Sequence, residues 1–210
     1  MARRGAPPEV NAGSMADIAF LLLIFFLVTT TIETDAGLDR MLPPIEPPDS
    51  DVVIKQKNIF MVNVNKYGQI LADEQPVELA DLRSSVIAFL DNGGLSKSEA
   101  TQDNPFCDYC QGLRDASSSD NPDKAIVSLK SDRETKYGVY IAVQNEIVGA
   151  YNDLRNREAQ RLYRRNFTEM EDLYNNPETP SEIREELKEK VKRIQDLFPQ
   201  KFSEAETAIK

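Results

Sequence analysis

The chain has 210 residues, a formal net charge of −10, and neither histidine nor tryptophan. Its length allows one medium domain with a sizeable core plus an extension. The missing histidine excludes Ser-His and Cys-His nucleophilic chemistry and His-ligated zinc, so no enzyme is expected. The acidic balance argues against nucleic acid, a partner that calls for a basic face.

The first predicted element departs from this average. From Met15 to Ile32 the only charged residue is Asp17, and Ile18 to Val28 is an unbroken run of Ile, Ala, Phe, Leu and Val. A helix over 15–32 would be about 27 Å long, close to the ~30 Å hydrocarbon core of a bilayer. A cleaved signal peptide begins the same way, with Arg3 and Arg4 ahead of an apolar run. Thr29 to Glu33 offers no small-x-small cleavage site, so an uncleaved anchor is the expectation. Glu33, Asp35 and Asp39 outweigh Arg40 beyond the run. The positive-inside rule therefore leaves residues 1–14 in the cytoplasm and everything after the span outside the inner membrane.

Asp17 admits two readings. As an interfacial cap, it would gain roughly 0.3 to 1 kcal/mol from the helix dipole. Inside the membrane, ionised, it would cost on the order of 2.5 to 3.5 kcal/mol at mid-helix and somewhat less near an end. Ser14 already offers a cap, and starting the helix at Asp17 would leave a span of only about 23 Å. Starting at Ser14 or Asn11 draws Asp17 inside by about a turn. There it can take a proton from one side and lose it to the other. Each charge moved through 100 mV is worth about 2.3 kcal/mol, enough over repeated cycles to drive a conformational change. Leu21, Ile24 and Val28 share its face and offer no polar relay, so a polytopic partner would have to enclose it.

Residues 33–57 carry Leu42-Pro43-Pro44-Ile45-Glu46-Pro47-Pro48 and read as a periplasmic linker, either a semi-rigid polyproline-like spacer or an ordinary disordered one. A domain over 58–155 follows. Ile59 to Val64 and Gln69 to Ala72 read as strands joined by a Gly-containing turn. Leu79, Leu82, Val86 and Phe89 or Leu90 recur at helical spacing, and Asp91-Asn92-Gly93-Gly94 ends that helix. Residues 92–123, rich in Ser, Asp, Asn and Gly, read as a long surface insertion. Within it Cys107 and Cys110 form a lone C-x-x-C, without a thioredoxin-like context or further metal ligands. In an oxidising compartment a local disulfide is the preferred reading, with reduced bystanders or a shared metal site as alternatives and no complete metal site of its own.

Lys124 to Lys130 reads as another strand. A long helix follows from Lys136 or Tyr137, with Tyr140, Val143, Ile147, Tyr151 and Leu154 on one face, running on towards Tyr174. Its basic cluster, Arg155, Arg157, Arg161, Arg164 and Arg165, is interleaved with Asp153, Glu158 and Glu169, and reads as a solvated helix side. Residues 156–210 read as a helical C-terminal extension. A further helix starts near Pro180, supported by the i, i+4 pairs Glu186–Lys190 and Glu189–Arg193, and Gln200 to Ala205 reads as a short final strand. The predicted class is α+β: one transmembrane helix, then an extracytoplasmic ββαβα domain with an insertion and a helical extension.

The register Asn11-(x5)-Asp17, opening a Leu/Ile/Phe-rich span and followed by Leu42-Pro43 and a ββαβα pattern, resembles the ExbD/TolR family of proton-channel subunits, closest to ExbD. The resemblance covers roughly Glu9 to Tyr151. It implies that Asp17 carries protons, that protons are the coupling ion with no other cofactor, and that Asn11 and Ser14 lie near the channel mouth. It also implies the partners: a pentameric polytopic subunit like ExbB or TolQ, a second copy of this chain, and a periplasm-spanning protein like TonB or TolA. Ala12-Gly13-Ser14 replaces the family's Val-Thr-Pro, and the Cys-containing insertion and the helices beyond Tyr151 are additions to which no family role transfers. The expected role is an ExbD-like subunit of an inner-membrane, proton-driven motor energising TonB-dependent transport. A TolR-like role is the near variant, and a signal-anchored adaptor without a proton role is the rival.

Overall fold

A computed structural model describes residues 12–29, 54–102 and 104–205. Asn11, Leu42-Pro43 and most of the predicted linker lie outside the described residues. The chain divides into two units, Met1–Asp39 and Arg40–Lys210.

In the first unit Ala12–Thr29 forms helix α1, of 18 residues. The described helix takes in Ala12, Gly13 and Ser14, ahead of the predicted span 15–32. The described α1 side chains, Gly13 and Met15 to Phe26, are exposed. Among the described residues no helix is long and apolar enough to cross a membrane.

The first described element of the second unit is a single 3-10 turn, Gln56–Asn58, which leads into β1 (Ile59–Val64) and β2 (Ile70–Ala72), an antiparallel hairpin pairing Val62 with Ala72 and Val64 with Ile70. A third strand, β3 (Gln75–Val77), pairs antiparallel to β2. These three residues carry no predicted element. The turn joining β2 to β3 is Asp73-Glu74, both at positive φ. This suits a two-residue hairpin turn, but the pair lacks the Asn-Gly or Asp-Gly signature, and a proline inside the run signals an edge at most.

Helix α2 (Leu79–Leu90) buries Leu82, Val86, Phe89 and Leu90, the predicted face, while Leu79 at its first turn stays outside. After the insertion, β4 (Ile126–Ser131) pairs parallel to β1, Ile59 opposite Ile126. Helix α3 (Tyr137–Tyr163) then crosses the sheet. The predicted continuous helix towards Tyr174 breaks here: Arg164 adopts the left-handed conformation, and α4 (Phe167–Asn175) starts afresh. The break turns Phe167 and Met170 back onto Ala159, and no glycine marks it. After α5 (Ser181–Leu197), strand β5 (Phe202–Ala205) pairs parallel to β4, Val127 opposite Phe202. The result is an α+β fold on a five-stranded mixed sheet in the order β3-β2-β1-β4-β5.

One sheet face carries the core. Phe60, Val62, Val64, Ile70, Val127, Leu129 and Phe202 meet Leu82, Val86 and Leu90 of α2 and Val143, Ile147, Tyr151 and Leu154 of α3. The alternation of buried and open positions along β1 shows that the other face, with Met61 and Leu71, is left open. A second, smaller core joins Ala159 of α3 to Phe167 and Met170 of α4 and to Leu187, Val191 and Ile194 of α5.

Candidate functional site

Asp17 lies in the second turn of α1, past the point where an acid gains from the helix N-terminus, and the first turn of α1 holds no acidic residue. Asp17 is exposed, as are Leu21 (58 %) and Ile24 (40 %), which share its face at i+4 and i+7. Gly13, four residues before, supplies no side chain. Ser14 falls in the first turn of α1. The face around the carboxylate therefore offers no second polar group among its described side chains.

The second arrangement is the segment between α2 and β4. The sequence reading placed it at the surface, yet Asn92, Asn104, Ser119, Asp120 and Asn121 are buried. Buried polar groups must be hydrogen-bonded, and these are bonded across the loop. Asn92 Nδ2 donates to the carbonyls of Asp115 (2.9 Å) and Ser119 (2.7 Å), while its Oδ1 accepts from the Asp115 amide at 2.8 Å. Asn121 Nδ2 donates to Asn104 Oδ1 and to the Pro105 carbonyl. Cys107 and Cys110 are bonded to each other, their Cα atoms 5.5 Å apart. Arg114 donates from Nη2 to the Cys107 carbonyl (2.9 Å) and from Nη1 to the Gly93 carbonyl (2.8 Å), with its guanidinium stacked 4.3 Å from the Phe106 ring.

The insertion is also tied to the helices. Arg157 grips Asp91 with two bonds, of 2.6 and 2.8 Å, and donates to the Tyr109 carbonyl at 3.3 Å. Hydrogen bonding to Asp91 holds the Arg157 guanidinium above its ordinary pKa against the opposing effect of burial. Arg155 is 6 % exposed, donates from Nε to the Phe198 carbonyl at 3.0 Å and stacks near Phe167. Burial pushes its pKa down. Glu158 is fully buried and pairs with Arg161 at 2.7 Å. The reading of this cluster as a solvated helix side is thus corrected for Arg155, Arg157 and Glu158. Tyr151, Leu154 and Glu158 follow one another at helical spacing, so the apolar face of α3 runs straight into charged residues. That continuity was the available signal. Among the described residues, no group of acidic, histidine or cysteine side chains is placed to hold a metal ion.

An apolar helix bearing one carboxylate, together with a separate α+β unit, defines a two-part protein in which the chemistry of the helix is a single titratable group. The chain belongs to the biopolymer transport protein ExbD/TolR family, whose model matches residues 3–155. The match spans α1 and the domain as far as the middle of α3, and α4, α5 and β5 lie beyond it. No curated protein matches the chain.

Proposed function

We propose that this protein is an ExbD-like subunit of a proton-driven motor in the inner membrane, with the apolar run over 15–32, which continues past the described end of α1, as its single span, the N-terminus in the cytoplasm and the α+β unit in the periplasm. Membership of a biopolymer transport family supports a transport role rather than an enzyme. Members of that family are anchored in the inner membrane and work with ExbB/TolQ-like membrane proteins and with TonB or TolA. Two copies of this chain would stand inside a polytopic ExbB-like ring, and a TonB-like protein would receive the force. TolR-like coupling to the Tol system is the second reading, because the family model covers both branches.

The observation that carries the proposal is the place of Asp17: the only charge in α1, one turn too deep for a cap and beside no relay of its own. Protonated, the carboxyl enters a hydrocarbon environment without a net charge. Ionised, it carries a cost somewhat below the roughly 2.5 to 3.5 kcal/mol of a mid-helix acid, and a transmembrane potential can drive the proton on and off it. Asn11 and Ser14 are proposed polar groups at the mouth of the path.

The test is Asp17→Asn, which keeps the shape and removes the titration. Energy-dependent uptake through outer-membrane receptors is expected to fall to background, while membrane abundance and co-purification with the polytopic subunit stay normal. Full transport in this variant overturns the proton role and leaves an anchored adaptor. Scoring detergent sensitivity of the envelope in the same strain divides the two branches. Lost transport with an intact envelope fits the ExbD-like reading, and a leaking envelope fits the TolR-like one.

A further inference from the structure

Tyr109 lies inside the small ring closed by the Cys107–Cys110 disulfide, and its side chain reaches out of the insertion to the end of α5. The Tyr109 hydroxyl donates to the Leu197 carbonyl at 2.9 Å, and its ring meets the Phe198 ring edge-on, centroids 5.3 Å apart. Burial pushes the hydroxyl pKa well up, so it remains a donor at any physiological pH. Phe198 is itself fully buried, and the connection it opens leads to Lys201, whose carbonyl accepts from the Val127 amide at 3.0 Å at the start of the β4–β5 ladder. Strand β5 has four residues and sits at the sheet edge. So short an edge strand makes few ladder bonds, and its seating depends on how its connection is held.

The disulfide closes a loop with a sequence separation of 3. A loop this short removes little freedom from the unfolded chain, so the bond acts on local geometry more than on global stability. What it holds locally is the backbone of Tyr109, with Arg157 on its carbonyl and Arg114 on the carbonyl of Cys107.

We propose that the Cys107–Cys110 disulfide is a redox-set clasp for the closing strand: oxidised, it holds Tyr109 against Leu197 and Phe198 and β5 stays on β4; reduced, it frees that connection and β5 leaves the sheet. The co-reactant is a dithiol, of the class carried by thiol–disulfide oxidoreductases. One thiolate of the dithiol attacks a sulfur of the pair, forming a mixed disulfide as the Cys107–Cys110 bond breaks and the other cysteine leaves as a thiolate. The dithiol's second thiolate then attacks its own sulfur in the mixed disulfide and expels the remaining cysteine, so the dithiol leaves as its own disulfide and its two protons end on Cys107 and Cys110. Cys107 and Cys110 are only 4 % and 8 % exposed, so reduction waits on local opening of the insertion. The clasp does not depend on the role proposed for Asp17.

Hydrogen exchange on the full chain in detergent micelles, oxidised and then reduced with dithiothreitol, tests it. Amides of residues 202–205 and of Val127 should exchange about tenfold or more faster after reduction, with the β1–β2 hairpin unchanged. The double variant Cys107→Ser/Cys110→Ser should show the fast pattern with or without reductant. Tyr109→Phe, with the disulfide intact, should loosen the same amides by a few-fold. Unchanged exchange at 202–205 after complete reduction overturns the clasp, as does an equal rise in the hairpin, which would mark a global loss of stability.

Discussion

Asp120 shows how one side chain can close a loop. Its carboxylate, 1 % exposed, has Lys57 Nζ at 2.5 Å and Lys55 Nζ at 3.3 Å, and accepts from Asn58 Nδ2 at 3.4 Å. Its amide donates to Asn58 Oδ1 at 2.8 Å. Burial works to raise the carboxyl pKa, but Lys57, Lys55 and Asn58 outweigh it and hold the group below the usual carboxylate range. A carboxyl lowered on folding adds stability that is complete above its unfolded pKa of about 3.9 and fades as pH falls through the folded value. The stability gap between the wild-type chain and Asp120→Asn should therefore be constant at neutral pH and narrow below about pH 4 in urea denaturation. A gap that widens on acidification would show that the carboxylate is not stabilised in the fold. None of this was legible in the sequence, where Lys57 and Asp120 stand in a predicted linker and a predicted surface loop. Asp17 was legible, because a lone charge in an apolar run announces itself within a single element. The Arg155, Arg157 and Glu158 contacts were hidden by their residue type, since charged residues on a helix are ordinarily solvated.

Among the elements, those with a clean period were readable: β1 alternates in burial along six residues, α2 repeats its apolar face, and β4 and the start of α3 do the same. β3 was unreadable, because three residues give no period and its place comes from pairing with β2. The α3–α4 break was unreadable for another reason: Phe167 turns back towards Ala159 to form a second core, which is a tertiary demand. The insertion is an element in its own right, and Gly94 is its tightest point. Gly94 adopts φ +58°, and a Cβ there would lie 1.9 Å from the Asp120 carbonyl oxygen. The sequence reads Gly94 as part of the stop that follows Leu90, where α2 does end, but its approach to Asp120 is a tertiary contact with no local signal. Gly94→Ala should cost about 2 kcal/mol or more, from the left-handed backbone and the displaced carbonyl together. Gly138, in the first turn of α3, faces open space, and Gly138→Ala should instead stabilise by up to ~1 kcal/mol. Denaturant midpoints of the two variants check both signs.

At the scale of the whole molecule, the family match and the fold end in different places. The match stops at residue 155, while the α+β unit takes its fifth strand from residues 202–205 and its second core from α4 and α5. A chain ended after Arg155 would keep β1 to β4 and α2 but lose Phe198 and Phe202 from the main core. It is expected to lose its cooperative thermal transition and to bind a hydrophobic dye. A sharp, dye-silent transition in the truncated chain would show that the extension is dispensable.

The parallel pairing of Val127 with Phe202 joins residues roughly 75 positions apart. Contacts of such long sequence separation form late, because the loop-closure cost comes before any stabilisation. The order of synthesis adds to this: β1 to β4 and most of α3 emerge well before the strand that seals their edge. During synthesis the unit would pass through a stage in which the flank of β4 is open and its partner has yet to arrive, the state in which an exposed strand edge is most prone to pair with the wrong chain. The interval between making residue 131 and residue 205 is thus a window of vulnerability, and the three helices α3, α4 and α5 set its length.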